Sequence, residues 1–189
     1  MIRAFLALPL PESVIAQLSL IQQRLRLTRP VPRENLHLTL VFLGEQRHDA
    51  LETLHMDLES LRARGFWLRL DGLGVFGGDR PRNLHARVVG EPALEALQAR
   101  LQRAARQAGM RPENRRFTPH VTLARFRPGE GDPAALAAAI QSVGALEAPL
   151  FAVESYGLYR SHLRADGAQY DLLADYPLDA PLAGPSAPA

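Results

Sequence analysis

NLHLTLVFLG (residues 35–44) and TPHVTLARF (residues 118–126) decide how this chain is read. Each carries His-x-Thr followed by Leu, as His37-Leu38-Thr39-Leu40 and His120-Val121-Thr122-Leu123. With five threonines and six histidines in 189 residues, about 0.16 such pairs are expected by chance, and two arise with odds of roughly one in a hundred. Recurrence in matched apolar context points to one supersecondary unit used twice. In a strand, side chains two apart share a face, so His37 and Thr39 lie together, as do His120 and Thr122. Strict alternation puts Leu36, Leu38, Leu40 and Phe42 on the opposite face of the first strand, and Val121 and Leu123 on that of the second. If the two polar faces look at each other across a cleft, two imidazoles bracket whatever lies between.

Outward from these strands the pattern alternates. Ile2 to Leu8 is a short apolar run of strand type; Pro11 then opens a helix carrying Val14, Leu18, Ile21 and Leu25, which Pro30 and Pro32 end. The first motif strand runs from Leu36 to Leu43 and stops at Gly44. Leu51, Leu54, Leu58 and Leu61 form a helical stripe closed by Gly65. Phe66 to Phe76 and Leu84 to Val89 read as strands joined by the turn-rich GGDRPRN (77–83). A helix is expected from about Pro92 to Ala108, the second motif strand from His120 to about Phe126, and a helix over DPAALAAAIQSVG (132–144). PLFAVESYGLY (149–159) and AQYDLLADYPL (168–178) supply a final pair of strands around a turn near Asp166 and Gly167. No linker divides the chain. The expectation is one α+β domain of two lobes over residues 1–178, with a disordered Pro/Ala-rich tail over 179–189.

Composition narrows the chemistry. At 47% hydrophobic and 22% charged, 189 residues suffice for a sizeable core. No run approaches the ~18 apolar residues of a membrane span, and the start lacks a secretory signal, so no membrane association and a cytoplasmic location are expected. Cysteine is absent, which excludes disulfides, thiolate metal sites and a cysteine nucleophile. All 22 basic residues are arginine. Without lysine, no lysyl-nucleotide or Schiff-base intermediate can form. Arginine forks suit bidentate phosphate contact, although an all-arginine composition also arises from genome bias.

Acid–base chemistry at phosphorus requires a proton taken from the attacking oxygen on one side and a proton given to the departing oxygen on the other. Imidazole, with a pKa near about 6.5, suits both tasks near neutrality. His37 and His120 are the candidate catalytic pair, and the hydroxyls of Thr39 and Thr122 can donate to the non-bridging oxygens. Arg125 lies five residues beyond His120. Alternation puts it on the Val121 face, so it reaches the cleft only through a bulge, a strand end or its length. Phe42 holds the matching fifth position after His37 and serves either core packing or base stacking. Tyr159, Phe76 and Phe126 share that ambiguity. No metal ligand set is discernible.

These segments resemble the 2H phosphoesterases, named for two His-x-Thr motifs on the central strands of two pseudo-symmetric lobes. Within them the chain is most similar to the RNA 2′,3′-cyclic phosphodiesterase group, also called 2′-5′ RNA ligase-like proteins. RAFLALPLPE (3–12), LHLTLVFLG (36–44), FTPHVTLARF (117–126) and total length carry the likeness. The resemblance implies a bilobal pseudo-symmetric α+β fold, with two antiparallel sheets flanked by helices around a central cleft. It implies metal-independent action, without cofactor, on RNA ends or nucleotides bearing a 2′,3′-cyclic phosphate or 2′-5′ linkage; a monomer is the default expectation. It also supplies the order of roles, His120 as base and His37 as acid, which near-identical motifs cannot, and it implies a phosphate ligand at Arg125, where similar proteins carry an arginine; the other reading of Arg125 is a surface salt bridge. Reversal would join ends into a 2′-5′ linkage. The alternative is a non-catalytic module holding a mononucleotide or RNA end in the same cleft.

Other motifs carry less. GLGVFG (72–77) matches a dinucleotide fingerprint literally but runs into a turn where a helix is required. His85 and Arg87 share a strand face and either line the same cleft or, as the default reading, face solvent. His48, His55 and His162 fit no ligand spacing and read as surface residues. Arg111, Arg115 and Arg116 precede the second motif as a charged loop that can guide RNA.

Overall fold

Prolines and glycines cut the apolar segments into short elements whose order repeats. The structure, a computed structural model, describes residues 1–113, 116–144, 146, 150–164 and 167–181. The elements are β1 (Ile2–Pro9), α1 (Glu12–Arg24), β2 (His37–Gln46), α2 (His48–Ser60), β3 (Phe66–Leu68), β4 (Leu70–Phe76), β5 (Asn83–Val88), α3 (Pro92–Gln107), β6 (His120–Arg125), α4 (Pro133–Val143), β7 (Phe151–Val153), β8 (Ser155–Arg164) and β9 (Gly167–Pro177). Pro92 and Pro133 occupy the first turns of α3 and α4, where a missing N–H is harmless. The Glu91 and Asp132 carboxylates accept from the backbone N–H groups of Ala93 and Ala134. The apolar stripes of α1 (Val14, Leu18, Ile21), α2 (Leu51, Leu54, Leu58) and α3 (Leu94, Leu97, Leu101) are buried, whereas α4 has no fully buried residue.

All pairings among these strands are antiparallel. One sheet has seven strands in the order β4-β5-β6-β2-β1-β8-β9, and β3 pairs with β7 in a second. Written as β1-α1-β2-α2-β3 and β5-α3-β6-α4-β7, the chain contains the same unit twice. Its equivalent strands meet: β2 pairs with β6 and β3 with β7. The α+β class, the two antiparallel sheets and the internal repeat all match expectation. The motif faces do not oppose one another from separate sheets, however. They are neighbouring parts of one face, because Leu38 pairs directly with Val121.

Further differences are local. The Phe66 to Phe76 run is two strands in different sheets, broken at Arg69, whose carbonyl accepts from Val89 N. The 149–159 run likewise divides into β7 and β8 around Glu154. Asp179, assigned to the tail, is tied to the fold: its N–H donates to Ala63 O (3.0 Å) and its carbonyl accepts from Gly65 N (2.7 Å). Residues 182–189 of that tail, Asp166 of the expected turn and Arg115 lie outside the described residues.

The expected alternation fails immediately after each motif, and in the same way. HLTLVF and HVTLAR share the pattern half-buried, buried, half-buried, buried, buried before the sixth residue emerges. Against β1, Thr39 pairs with Ala7 and Val41 with Leu6, so Leu40 is extra; against β5, Thr122 pairs with His85 and Ala124 with Leu84, so Leu123 is extra. Each β-bulge shifts the facing of the residues beyond it by one position. Phe42, pairing with Phe5, therefore lies on the histidine face rather than with Leu38 and Leu40. Arg125, pairing with Asn83, does the same. The second bulge is held by its carbonyl: Leu123 O accepts from Val31 N (2.8 Å) and from the Nε2 of buried Gln22 (2.8 Å), which also donates to Val31 O (2.9 Å). Gln22→Leu removes the donor to two carbonyls, and a loss of about 1–3 kcal/mol is expected by urea unfolding; a midpoint equal to the wild type contradicts this role.

Candidate active site

The bulged strands bring His37, Thr39, His120, Thr122 and Arg125 to one face. An antiparallel register centred on Leu38 and Val121 sets His37 beside Thr122 and His120 beside Thr39, at the separation of neighbouring strands, about 5 Å. Both imidazoles are anchored alike. Nδ1–H of His37 donates to Asn35 O (2.7 Å) and Nδ1–H of His120 to Thr118 O (2.8 Å), each a carbonyl two residues back. Because a carbonyl only accepts, Nδ1 carries the proton and Nε2 is the acceptor nitrogen in both neutral rings. The Thr39 hydroxyl lies 3.0 Å from His37 Nε2 and can donate to it.

Each histidine also completes a triangle of rings. His37 lies 4.9 Å from Phe5 and 5.2 Å from Tyr170, which contact each other at 4.9 Å. His120 lies 4.9 Å from Phe76 and 5.2 Å from His85, which stack on each other at 4.1 Å. His85 is thus buried at 4% exposure, contrary to the exposed reading, because it packs inward along the sheet beneath Phe76. Tyr159 stacks on Phe5 at 5.3 Å, so it extends the aromatic wall behind His37. Phe42 lies beneath the Arg3 guanidinium (4.8 Å to the ring centroid).

Burial holds His37 well below its ordinary value, at about 4. The positive charges of Arg125 and His120 add to this, and the bond to Asn35 O opposes it. His85 is also lowered to about 4, by burial and then by His120 and Arg87. The other histidines make local pairs: His48 with Glu52 (3.2 Å), His162 with Asp171 (2.7 Å), and half-buried His55 with the Tyr176 hydroxyl (2.8 Å). Among the described residues, no three His, Asp or Glu side chains gather as a metal site, and no helix is long and apolar enough to cross a membrane. Exposed Arg111 and Arg116 flank the second motif's approach. Phe5, Tyr170 and Gln22 went unnoticed in the sequence. Phe5 and Tyr170 are ordinary strand aromatics, and only Gln22's place beside Ile21 on the buried stripe of α1 marked it.

Two matched imidazoles on the central strands of a duplicated α+β unit are the architecture of a 2H phosphoesterase. Residues 10–164 match the model of the 2′-5′ RNA ligase superfamily, and the chain belongs to that superfamily. It is 35% identical over 189 residues to the RNA 2′,3′-cyclic phosphodiesterase of Thermus thermophilus, covering 93% of this chain and 90% of the relative. Among solved structures it resembles TT0787, also of Thermus thermophilus, with 30% identity and a TM-score of 0.78 over 94% of this chain and 98% of that one. It also resembles Escherichia coli LigT (27% identity, TM-score 0.73, 94% and 98% coverage), whose structure has been solved with 3′-AMP and with phosphate.

The lowered histidines have a consequence for folding. As pH falls, the unfolded chain binds protons at its two freed imidazoles near about 6.5, while folded His37 and His85 resist until about 4. The stability they contribute is complete above about 6.5 and is lost as pH falls toward 4. Denaturant midpoints are expected to decline across that window; a flat profile from pH 7 to 4.5 contradicts the two shifts.

Proposed function

We propose that this protein hydrolyses RNA 2′,3′-cyclic phosphate ends to 2′-phosphomonoesters by acid–base catalysis between His37 and His120, using residues 1–178 as one bilobal catalytic domain. The supporting observation is the shared anchoring of both rings at Nδ1, which turns Nε2 of each into the acceptor nitrogen on adjoining strands of one sheet face. The relatives' activity argues for the same substrate chemistry. A binding cleft gains nothing from fixing the tautomer of both rings, whereas proton transfer depends on it.

In this mechanism His120 Nε2 takes a proton from water as the water oxygen bonds to phosphorus. The P–O3′ bond breaks, and His37 Nε2–H donates to the departing oxygen. The product carries a 2′-phosphate and a 3′-hydroxyl, and solvent returns the proton from His120 to His37. Neutral in the free protein at pH 7, His37 becomes an acid when the substrate arrives, because the phosphate anion offsets Arg125 and pairs with the protonated ring. Thr39 and Thr122 donate to the non-bridging oxygens, Arg125 binds the phosphate charge, and Phe42 and Tyr159 offer faces on which a base can stack. The same groups serve ligation when a 5′-hydroxyl replaces water. A cytoplasmic monomer acting without metal or nucleotide cofactor completes the reading.

The test uses an oligonucleotide ending in a 2′,3′-cyclic phosphate, with EDTA present. Release of a 2′-phosphate is expected, with losses of about 10²-fold or more in kcat for His37→Ala and His120→Ala. Near-wild-type turnover in either variant removes that residue from the mechanism, and inhibition by EDTA removes the metal-free claim. Arg125→Ala is expected to lower kcat/KM by about 10- to 100-fold, the worth of a charge-assisted phosphate contact; an unchanged value returns Arg125 to the surface.

A further inference from the structure

His85 stands where the internal symmetry provides a small side chain. The register matches Ala7 beside Thr39 with His85 beside Thr122, and each faces a glycine on the next strand, Gly157 and Gly74. Ala7 places a methyl group there; His85 places a buried imidazole. Gly74 makes the space, since a Cβ on it would lie 2.7 Å from His85 Nε2. Nδ1–H of His85 donates to Asn83 Oδ1 (3.1 Å), which sets the rotation of the ring. One side of His85 stacks on Phe76 (4.1 Å, 25°), and both rings meet His120 steeply, at 65° for His85 and 87° for Phe76.

We propose, on the reading that His120 accepts the proton from water, that His85 is the positioning residue for His120. The bond to Thr118 O fixes where His120 Nδ1 sits, and the tilt of the ring is set by what it packs against. With Phe76, His85 fixes that tilt and so the direction of Nε2. Burial keeps His85 from touching substrate, so its influence passes through His120. A neutral imidazole serves here because its Nδ1–H ties it to Asn83, a restraint that an apolar ring lacks. Displacing a reacting atom by about 1 Å can lower a rate by about 10²-fold, so a small change of tilt registers in turnover.

The test compares His85→Ala, Asn83→Ala and His120→Ala with wild type on a 2′,3′-cyclic mononucleotide, with circular dichroism and thermal melts reporting the fold. His85→Ala is expected to lower kcat by about 10-fold or more while KM stays within about twofold, because ground-state binding does not involve it. Asn83→Ala is expected to act in the same direction less strongly, and the His120 imidazole NMR signals are expected to shift in both variants. If His120→Ala is inactive while folded His85→Ala stays within about twofold of wild-type kcat, the positioning role is wrong and the catalytic reading stands. If His120→Ala itself retains turnover, the catalytic reading is what fails. Should His85→Ala not fold, Asn83→Ala decides: unchanged kcat and unmoved His120 signals overturn the proposal.

Discussion

The pairing of Leu38 with Val121 joins equivalent residues of equivalent strands, and much of the site's geometry depends on it. Antiparallel pairing about that point sets each histidine across from the other motif's threonine, without any loop having to be placed. Both partners are fully buried, so one-residue slippage would turn two apolar side chains to solvent and two histidines into the core. The register is therefore protected by hydrophobic burial, and the geometry of the candidate site inherits that protection. The pairing does not continue along the strands. Segment 29–31 meets the end of β6 instead, through Val31 N on Leu123 O and a bridge between Pro30 and Ala124.

The two bulges convert a repeated strand into a site with unequal ends. After each threonine two consecutive residues enter the core, and the next residue returns to the histidine face. On β2 that residue is Phe42 and on β6 it is Arg125, so a symmetric backbone delivers an aromatic ring at one end and a cation at the other. Packing His37 against two further rings fixes it but also dehydrates it. Dehydration is why His37 is held near 4, and in the proposed mechanism a phosphate anion, by restoring a counter-charge, switches it on. Positioning and pKa thus have one cause.

The motif positions, their shared faces and the helix stripes were legible because each depends on local periodicity. Arg125 was legible only conditionally: its reach required a bulge, and nothing in HVTLAR distinguishes an extra residue from regular alternation. The misplacement of Phe42 has the same origin. His85 was read as cleft-lining or, by default, exposed, because NLHARV alternates plausibly either way, and only the neighbouring strand β4, with Gly74 and Phe76, buries it. Likewise the literal glycine pattern at 72–77 acquires its meaning from a neighbour: Gly74 leaves room for the His85 ring. Long-range packing, absent from any window of sequence, decided each of these.

One phosphate held by both imidazoles is the core of this account, and inorganic phosphate titrated into histidine-labelled protein at neutral pH tests it directly by nitrogen NMR. The expected result is that Nε2 of His37 and of His120 respond together with one saturation curve, and that His37 rises from about 4 toward its ordinary value in the bound state. A response confined to one ring, or two curves with separate midpoints, would contradict a single site between them.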